Sequence, residues 1–492
     1  MIRWRPSQEL VVLVSYSVGL YMVAVDNTII FTALPSVARD FHVSLASAQW
    51  VTLSYLLTLA MMVPCSGWIG DRFGTRRTYL IALVLFTGAS ALCGLSGSLP
   101  ELVLFRILQG IGGGLIIPVG QAMLFRTFPP ARRARATGMV LLGSSLGPAT
   151  GPVLGGVLTT FLSWRWCFFV NVPFGTIVLI IALLFLAEHR EPAAGRLDLA
   201  GFVLAGGGLA LVLFALSESP ARGWSSPVII ATGVAGLAAL AAMVVIELRL
   251  KAPMLNLRLL RNRIFRTATI VSVCQQGAYI GYLFVMPEFL QQARGASALS
   301  SGLTTFPGAV GLLIAAQLAA RVYPRIGPRR IAVCGMIGVI TVWTLIALTV
   351  GVDTSIWLIR VLTFFSGFSS GWCLIAVQSA SFATISSADT GRASALFNTQ
   401  NQVAGGIGVA VLVTVISAFS PVGATGAALV PAFHHAFLTA ALMEAIGVPF
   451  ALTIRDSDAA ATMRRRERVP AAQEQPTAAV PPGIGDGTSD LG

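Results

Sequence analysis

Charged residues are scarce in this chain, and so are clusters of histidine and cysteine. Only 11% of the 492 residues are Asp, Glu, Lys or Arg, whereas 55% are hydrophobic, which is unusual for a soluble globular protein. The four histidines and six cysteines show no spacing typical of a metal site or a disulfide framework. A Ser/His/Asp group and a phosphate-binding glycine loop are also missing. These absences argue against a soluble protein, a metalloprotein and an enzyme.

Apolar runs long enough to cross a membrane recur along the chain. A window of about 20 residues predicts fourteen helical spans. They lie near residues 10–34, 46–69, 78–97, 102–124, 137–160, 168–187, 199–217, 228–247, 267–290, 301–323, 331–351, 356–380, 393–417 and 433–454. The first run exceeds the core of a signal peptide, about 7–15 residues, so we expect it to be retained as a span. The sequence predicts an all-α polytopic membrane protein.

The basic residues indicate topology. The net charge is +13, but the 33 Lys and Arg residues form short clusters between apolar runs, so we expect no nucleic-acid binding. Most of them fall in alternate loops, which by the positive-inside rule places both termini in the cytoplasm.

A short repeat suggests a duplicated architecture. Gly74-Thr75-Arg76-Arg77 follows the second span, and Gly327-Pro328-Arg329-Arg330 follows the tenth. The separation is longer than six spans require and leaves room for two more, as in parallel-repeat transporters. We predict a six-span bundle over residues 1–190, two additional central spans over 191–263, a second six-span bundle over 264–455 and a disordered cytoplasmic tail over 456–492.

The stretch from 138 to 156 carries more glycine and proline than a soluble helix tolerates. Small residues four apart let a neighbouring helix approach closely, and each proline removes a backbone donor. The stretch is thus either an ordinary packing face or a hinge. It resembles the fifth-span antiporter signature of the major facilitator superfamily, which marks exporters in that family. The matching residues are Gly138, Gly147, Gly151, Pro152, Gly155 and Gly156.

The loop after the second span resembles another signature of this superfamily. There, an acid, a turn glycine and basic residues tie the cytoplasmic helix ends together when the transporter faces outward. The residues that carry the resemblance are Gly67, Asp71, Arg72, Gly74 and Arg76. A plain positive-inside loop with a glycine turn is the alternative. The second copy has Pro324 in the place of the acid, which puts an equivalent latch there in doubt.

Two ionisable residues inside predicted spans form the expected proton-coupling site. Arg106 lies in a segment, 102–114, that is similar to the superfamily's fourth-span signature, whose arginine is linked to proton transfer. Asp26 lies in the segment 25–35, which resembles the first-span signature of the fourteen-span drug/proton antiporters, although Phe31 replaces the usual asparagine. A buried charge in a span is either functional or paired. A fixed Asp26–Arg106 ion pair that merely joins two helices therefore remains the alternative.

Two further segments resemble the drug/proton antiporters within this superfamily. The segments 164–175 and 391–411 are similar to that family's fifth-to-sixth junction and thirteenth-span entry. Candidate cavity residues are Glu288, Gln109 and Phe31, although the outer rim is an equal alternative for Glu288. We expect Glu444 to face a neighbouring helix or lipid headgroups, and the transport pathway is the alternative.

The resemblance covers residues 10 to 455 and implies the major facilitator fold. It also implies a multi-pass transporter of the inner (plasma) membrane that exports amphipathic or lipophilic drugs, or related metabolites, against protons. We expect no enzyme activity, metal or cofactor. The expected partners are a small-molecule substrate, protons and the bilayer; a monomer is expected, and an accessory periplasmic protein stays open. The alternatives are a dedicated exporter of one endogenous metabolite, such as a self-made antibiotic, and a membrane receptor on the same fold.

Overall fold

The fold is described from a computed structural model. It covers residues 7–43, 45–48, 50–190, 199–223, 225–250, 255–386, 389–421 and 424–463. Within these ranges the chain is helical and contains no β-strand. The all-α architecture predicted from the apolar runs is therefore confirmed.

The N-terminal helices, which we call the N-half, contain one sharply bent span. The N-half consists of α1 (Gln8–Asp40), α2 (Leu45–Ala48), α3 (Trp50–Met62), α4 (Ser66–Phe73), α5 (Thr75–Leu95), α6 (Leu99–Thr127), α7 (Pro130–Phe161), α8 (Trp166–Phe169) and α9 (Asn171–Phe185). Helices α3 and α4 meet at 58°. Pro64 lies in the break, and a proline without a backbone donor accounts for the bend.

The rest of the described chain forms a central group and a second set of long helices, the C-half. The central group is α10 (Leu199–Phe202), α11 (Gly208–Arg222) and α12 (Pro227–Arg249), with a π-helical turn, Val203–Gly207, between the first two. The C-half consists of α13 (Arg263–Glu288), α14 (Ala298–Ile326), α15 (Pro328–Thr349), α16 (Ile356–Ser381), α17 (Thr390–Phe419) and α18 (Val430–Leu452).

The number of spans is bounded by helix length and composition. In the described ranges, 12 helices are long and apolar enough to cross a membrane, or up to 13 if the bent α3–α4 pair is one span. Helix α7 has 32 residues but is outside this count. The fourteen-span topology with cytoplasmic termini stays a prediction.

A carboxylate caps one glycine turn in each half. Gly74 and Gly327 have φ values of 98° and 88°, which a residue with a side chain rarely adopts, and they precede α5 and α15. Glu188 accepts hydrogen bonds from the backbone N–H groups of Arg76 and Arg77 at 3.0 and 3.3 Å. An acid at a helix N-terminus interacts favourably with the helix dipole and so stabilises the helix.

The equivalent cap in the C-half corrects the predicted start of the tail. Residues Asp456–Thr462 form a 3₁₀-helix, although they fall in the range predicted to be disordered. Asp456 accepts from the backbone N–H of Arg329 at 3.1 Å, and Thr462 shares a 2.8 Å hydrogen bond with the Tyr323 hydroxyl. These two contacts hold the segment in place. The remaining tail, from residue 464, lies outside the described residues.

The two halves are in contact at the end of the bundle that carries the basic loops, which we call the basic face. Gln317 of α14 donates to the carbonyl of Gly138 at 2.6 Å. Arg133 of α7 donates to the carbonyl of Phe382 at 2.7 Å, and the Phe125 and Phe382 rings lie 4.4 Å apart. The conformation is therefore closed at the basic face.

Candidate functional site

Glycines on α6 bring an arginine into the interior of the N-half. A Cβ atom placed on Gly110 would lie 2.7 Å from the carbonyl oxygen of Tyr55, and one on Gly112 would lie 2.7 Å from that of Ala82. Only hydrogen at these positions lets α6 pack this closely against α3 and α5. As a result, Arg106 on α6 is fully buried.

Arg106 forms an ion pair with Asp26 of α1. Nη1 of the guanidinium lies 2.5 Å from Oδ2 of the carboxylate, and both side chains are 0% exposed. The sequence predicts that these two residues act together, and their side chains are in direct contact.

Two amides complete the hydrogen bonding of the Asp26 carboxylate. Gln109 Nε2 and Asn171 Nδ2 donate to Oδ1 at 2.8 and 3.0 Å. Arg106 also donates to Gln109 Oε1 at 2.8 Å and, through Nε, to the carbonyl of Val51 at 3.0 Å. Charge-assisted hydrogen bonds from three side chains stabilise the ionised form of a buried carboxylate. We call Asp26, Arg106, Gln109 and Asn171 the Asp26 cluster.

Aromatic rings exclude water from the Asp26 cluster. The guanidinium carbon of Arg106 lies 4.1 Å from the centre of the Tyr55 ring and 5.7 Å from that of Phe168. Such contacts stabilise a cation where water cannot reach it. Asn171 also donates to the Ser90 hydroxyl at 3.2 Å, which fixes the amide that faces Asp26.

The Asp26 cluster links α1, α6 and α9 through one buried ion pair and its amide donors. Loss of the Asp26 charge would leave Arg106 buried without a partner charge, which is costly, so the pair stabilises the contact between these helices. Within the described ranges, no group of three or more His, Cys, Asp or Glu side chains is placed to hold a metal ion.

A second charged contact lies at the basic face. Asp71 of α4 pairs with Arg126 of α6 at 2.7 Å, with side-chain exposures of 1% and 6%. A Cβ atom placed on Gly391, at the start of α17, would lie 2.7 Å from Asp71 Oδ1. Asp71 therefore lies where the N-half meets the N-terminus of a C-half helix, and the helix dipole favours an acid there.

The other residues of the predicted gating loop have different neighbours. Gly67 packs against the C-half, since an added Cβ atom would lie 2.6 Å from the carbonyl oxygen of Gly391. Arg76 donates to the carbonyl of Leu183 at 2.6 Å, Arg72 is exposed, and Gly74 forms the capped turn before α5. Arg126, the partner of Asp71, was not among the predicted residues.

The glycine-rich stretch on α7 packs against both halves. Gly147 lies against Ala24 of α1, and a Cβ atom on Gly151 would lie 2.9 Å from Cβ of Thr28. Gly138 contacts Ala320 of α14, where an added Cβ atom would lie 3.2 Å from the alanine Cβ. Gly155 is buried, whereas a Cβ atom on Gly156 would meet nothing within 4 Å. The side chain of Pro152 is outside the described part of the chain.

Of the three candidate cavity residues, the structure describes the side chains of Gln109 and Glu288, and their surroundings differ. Gln109 is fully buried and belongs to the Asp26 cluster, where it is a hydrogen-bond partner. Glu288 is half-buried at the end of α13 and accepts a hydrogen bond from Gln292. The side chain of Phe31 lies outside the described residues.

Comparison with known proteins identifies the family. The model of the Major Facilitator Superfamily matches residues 16–409 and 268–482. An uncharacterized MFS-type transporter of Bacillus subtilis is 30% identical over 89% of this chain and 82% of its own. A multidrug resistance protein B homolog of Mycobacterium tuberculosis is 32% identical over 80% and 73%. The tetracenomycin C resistance and export protein of Streptomyces glaucescens is 35% identical over 66% and 61%.

Solved structures support the same fold. The human organic anion transporter MFSD10 superposes with a TM-score of 0.64 at 16% identity, covering 91% of this chain and 100% of that one. The proton:xylose symporter XylE superposes with a TM-score of 0.62 at 18% identity, covering 91% and 97%. At these identities the likeness concerns the fold alone. Taken with the family match and the apolar helices, it completes the identification: the chain belongs to the major facilitator superfamily and is a multi-pass transporter of the cell membrane, of the multidrug-efflux type and not an enzyme.

Proposed function

We propose that this transporter is a proton-driven antiporter that exports amphipathic or lipophilic drugs, or related metabolites, by alternating access. The observation that carries the proposal is the fully buried Asp26–Arg106 pair with its two amide donors. An ionisable pair inside a span is expensive to maintain. Here the pair joins α1 and α6, and the amide of Asn171 adds α9. Proton entry would break the pair and bias the packing of three helices at once.

The described conformation fits one step of such a cycle. Closure at the basic face, with cytoplasmic basic loops, corresponds to an outward-facing transporter. Asp26 has three hydrogen-bond donors in this state, as expected for the deprotonated acid that awaits a proton from outside. Proton binding then favours opening towards the cytoplasm, where the next substrate enters.

The substrate class is inferred from relatives. The names of two of them refer to multidrug resistance and to tetracenomycin C export. A monomer coupled to the proton gradient, without cofactor or metal, is the simplest form of the proposal. An accessory periplasmic protein stays an open alternative.

The proposal is tested with Asp26→Asn, which mimics the protonated acid at nearly constant volume. Inverted vesicles with an imposed pH gradient are supplied with ethidium, a fluorescent lipophilic cation. We expect the wild type to accumulate the dye, and the variant to bind dye without gradient-driven accumulation. Asp353→Asn, on an exposed loop, is the matched control and should behave as wild type. Gradient-driven accumulation by Asp26→Asn would remove Asp26 from the mechanism.

A dedicated exporter of one metabolite is the second candidate, favoured by the 35% identity to the tetracenomycin C exporter. A resistance panel in a pump-deleted host separates the two. Protection against several unrelated compounds supports multidrug export, and protection against one compound supports the dedicated exporter.

A further inference from the structure

The C-half contains a buried carboxyl group that the proposed mechanism does not use. Glu444, in the middle of α18, is 0% exposed. Among the described residues, neither of its carboxyl oxygens has a hydrogen-bond partner. A buried polar atom without a partner is rare and calls for an explanation.

The surroundings of Glu444 are weakly polar. Cys274 of α13 and Cys373 of α16 are close enough to interact with its carboxyl electrostatically. Gly447, one turn further along α18, packs against Met336 of α15 and against Cys274. Thiols and a thioether are poor partners for a charge.

The other ionisable groups on the helices packed against α18 are placed differently. Tyr279 and Tyr282 lie further along α13, and His434 and His435 lie in the first turns of α18. Helices α13, α15 and α17 also carry ionisable residues nearer their ends. Five are exposed and two, Glu288 and Arg392, are half-buried; the exposed ones are Arg263, Arg266, Arg329, Arg330 and Cys334. The described ion pairs do not include Glu444.

Glu444 and Asp26 are in opposite situations within one conformation. Asp26 has three donors, one of which is its paired arginine, and this arrangement suits an ionised acid. Glu444 is equally buried but has none, and an ionised carboxylate without a partner is not tolerated in an apolar interior. The protonated form of Glu444 is therefore the one that suits this conformation.

We propose that Glu444 is a second proton-binding site of the transporter, which holds a proton while the basic face is closed and releases it when the C-half repacks. The proposal rests on the proposed proton-driven function and adds a site in the other half of the molecule. Helices α13 and α17 of the C-half meet through glycine, because a Cβ atom on Gly277 of α13 would lie 2.9 Å from the carbonyl oxygen of Ala404 on α17. A small residue at such a contact lets the two backbones approach closely, with no side chain between them.

Infrared spectroscopy of the purified protein in lipid nanodiscs tests the proton directly. A protonated carboxyl group has a C=O stretching band that is separate from the amide bands. We expect the wild type to show such a band at neutral pH and Glu444→Gln, which keeps the shape, to lose it. The matched control is Glu288→Gln, on half-buried Glu288, which should retain it. The same band in wild type and Glu444→Gln would overturn the proposal.

The second measurement tests whether the proton is linked to conformation. Asp71→Asn weakens the contact at the basic face, far from Glu444, so it should favour the open state. Linkage is reciprocal, and the pH midpoint of the Glu444 band should therefore fall relative to wild type. An unchanged midpoint would mean that proton binding by Glu444 is independent of the contact at the basic face, and it would overturn the coupling. Failure of the proposed function would show separately, as dye accumulation in wild-type vesicles that ignores the pH gradient.

Discussion

At the scale of single residues, the charge of Asp26 depends on donors from different helices. Asn171 of α9 contributes one of them at 3.0 Å, and a hydrogen bond to a charged group contributes about 1.5–3 kcal/mol. Asn171→Ala should lower the thermal midpoint of unfolding and reduce gradient-driven dye transport, because the ionised acid loses one stabilising contact. Both are measured on the purified and reconstituted protein.

Ser90→Ala is the control for the role of Asn171. Ser90 accepts a hydrogen bond from Asn171 at 3.2 Å and donates to the carbonyl of Phe168 at 2.9 Å. If Ser90→Ala reduced transport as much as Asn171→Ala, the amide would act through general packing and not through the carboxylate.

Asp40, at the end of α1 beyond the predicted span, gives a prediction of pH dependence. Hydrogen bonds from Trp164 and Arg165, at 3.0 and 2.8 Å, lower the pKa of Asp40 below its ordinary value. A lowered pKa in the folded state adds stability above the pKa of the unfolded chain, and this stability is lost as the pH falls through the folded pKa. Asp40→Asn should therefore lower the thermal midpoint at neutral pH and have a smaller effect in acid.

The measurement is a thermal unfolding series of both proteins from neutral to acidic pH. Asp353→Asn is an exposed control and should leave the midpoint unchanged at neutral pH. A constant difference between wild type and Asp40→Asn across the series would contradict the prediction.

Sequence reasoning finds charged site residues more readily than uncharged ones. Asp26 and Arg106 are recognisable because ionisable residues stand out within apolar spans. Asn171 is neutral and begins a helix, so its residue type does not indicate a role. Arg126 is one of several arginines near the basic face, and its pairing with Asp71 depends on how α4 and α6 meet in space, which sequence spacing does not determine.

At the scale of helices, the two glycines 151 and 156 of α7 are a matched pair. They have the same chemistry, but an added Cβ atom on Gly151 would meet Thr28 of α1 and one on Gly156 would meet open space. Gly151→Ala should therefore impair transport through steric contact between α1 and α7, while Gly156→Ala should not. Dye transport at equal membrane expression is the measurement. Equal activity of both variants would show that α1 and α7 can separate at this point.

The sequence predicts the pattern of helices but not the break in the second span. The apolar run over residues 46–69 reads as one span, whereas the chain forms α3 and α4 with a 58° bend. Mean hydropathy is averaged over a window of residues and contains no information about the direction of the helix axis. Pro64 marks the place, but a proline inside a membrane helix is often accommodated without a break.

At the scale of the whole molecule, the basic loops predict the topology. Reporters inserted after Gly223 and after Met463 should lie on opposite sides, with Met463 in the cytoplasm, because the basic loops fix the orientation. Accessibility of the two tags to an impermeant label in intact cells is the measurement. Labelling of both from outside would overturn the fourteen-span topology and the outward-facing assignment with it.

The two capped turns have a consequence for how the chain can grow. Glu188 follows α9 and caps the turn before α5, and Asp456 follows α18 and caps the turn before α15. In each half, therefore, the segment after the last helix is hydrogen-bonded to a loop of the same half. The central helices α10–α12 follow Glu188 in the sequence, so an insertion at this point leaves both caps intact. A lineage can therefore gain or lose the central helices without breaking either capped turn.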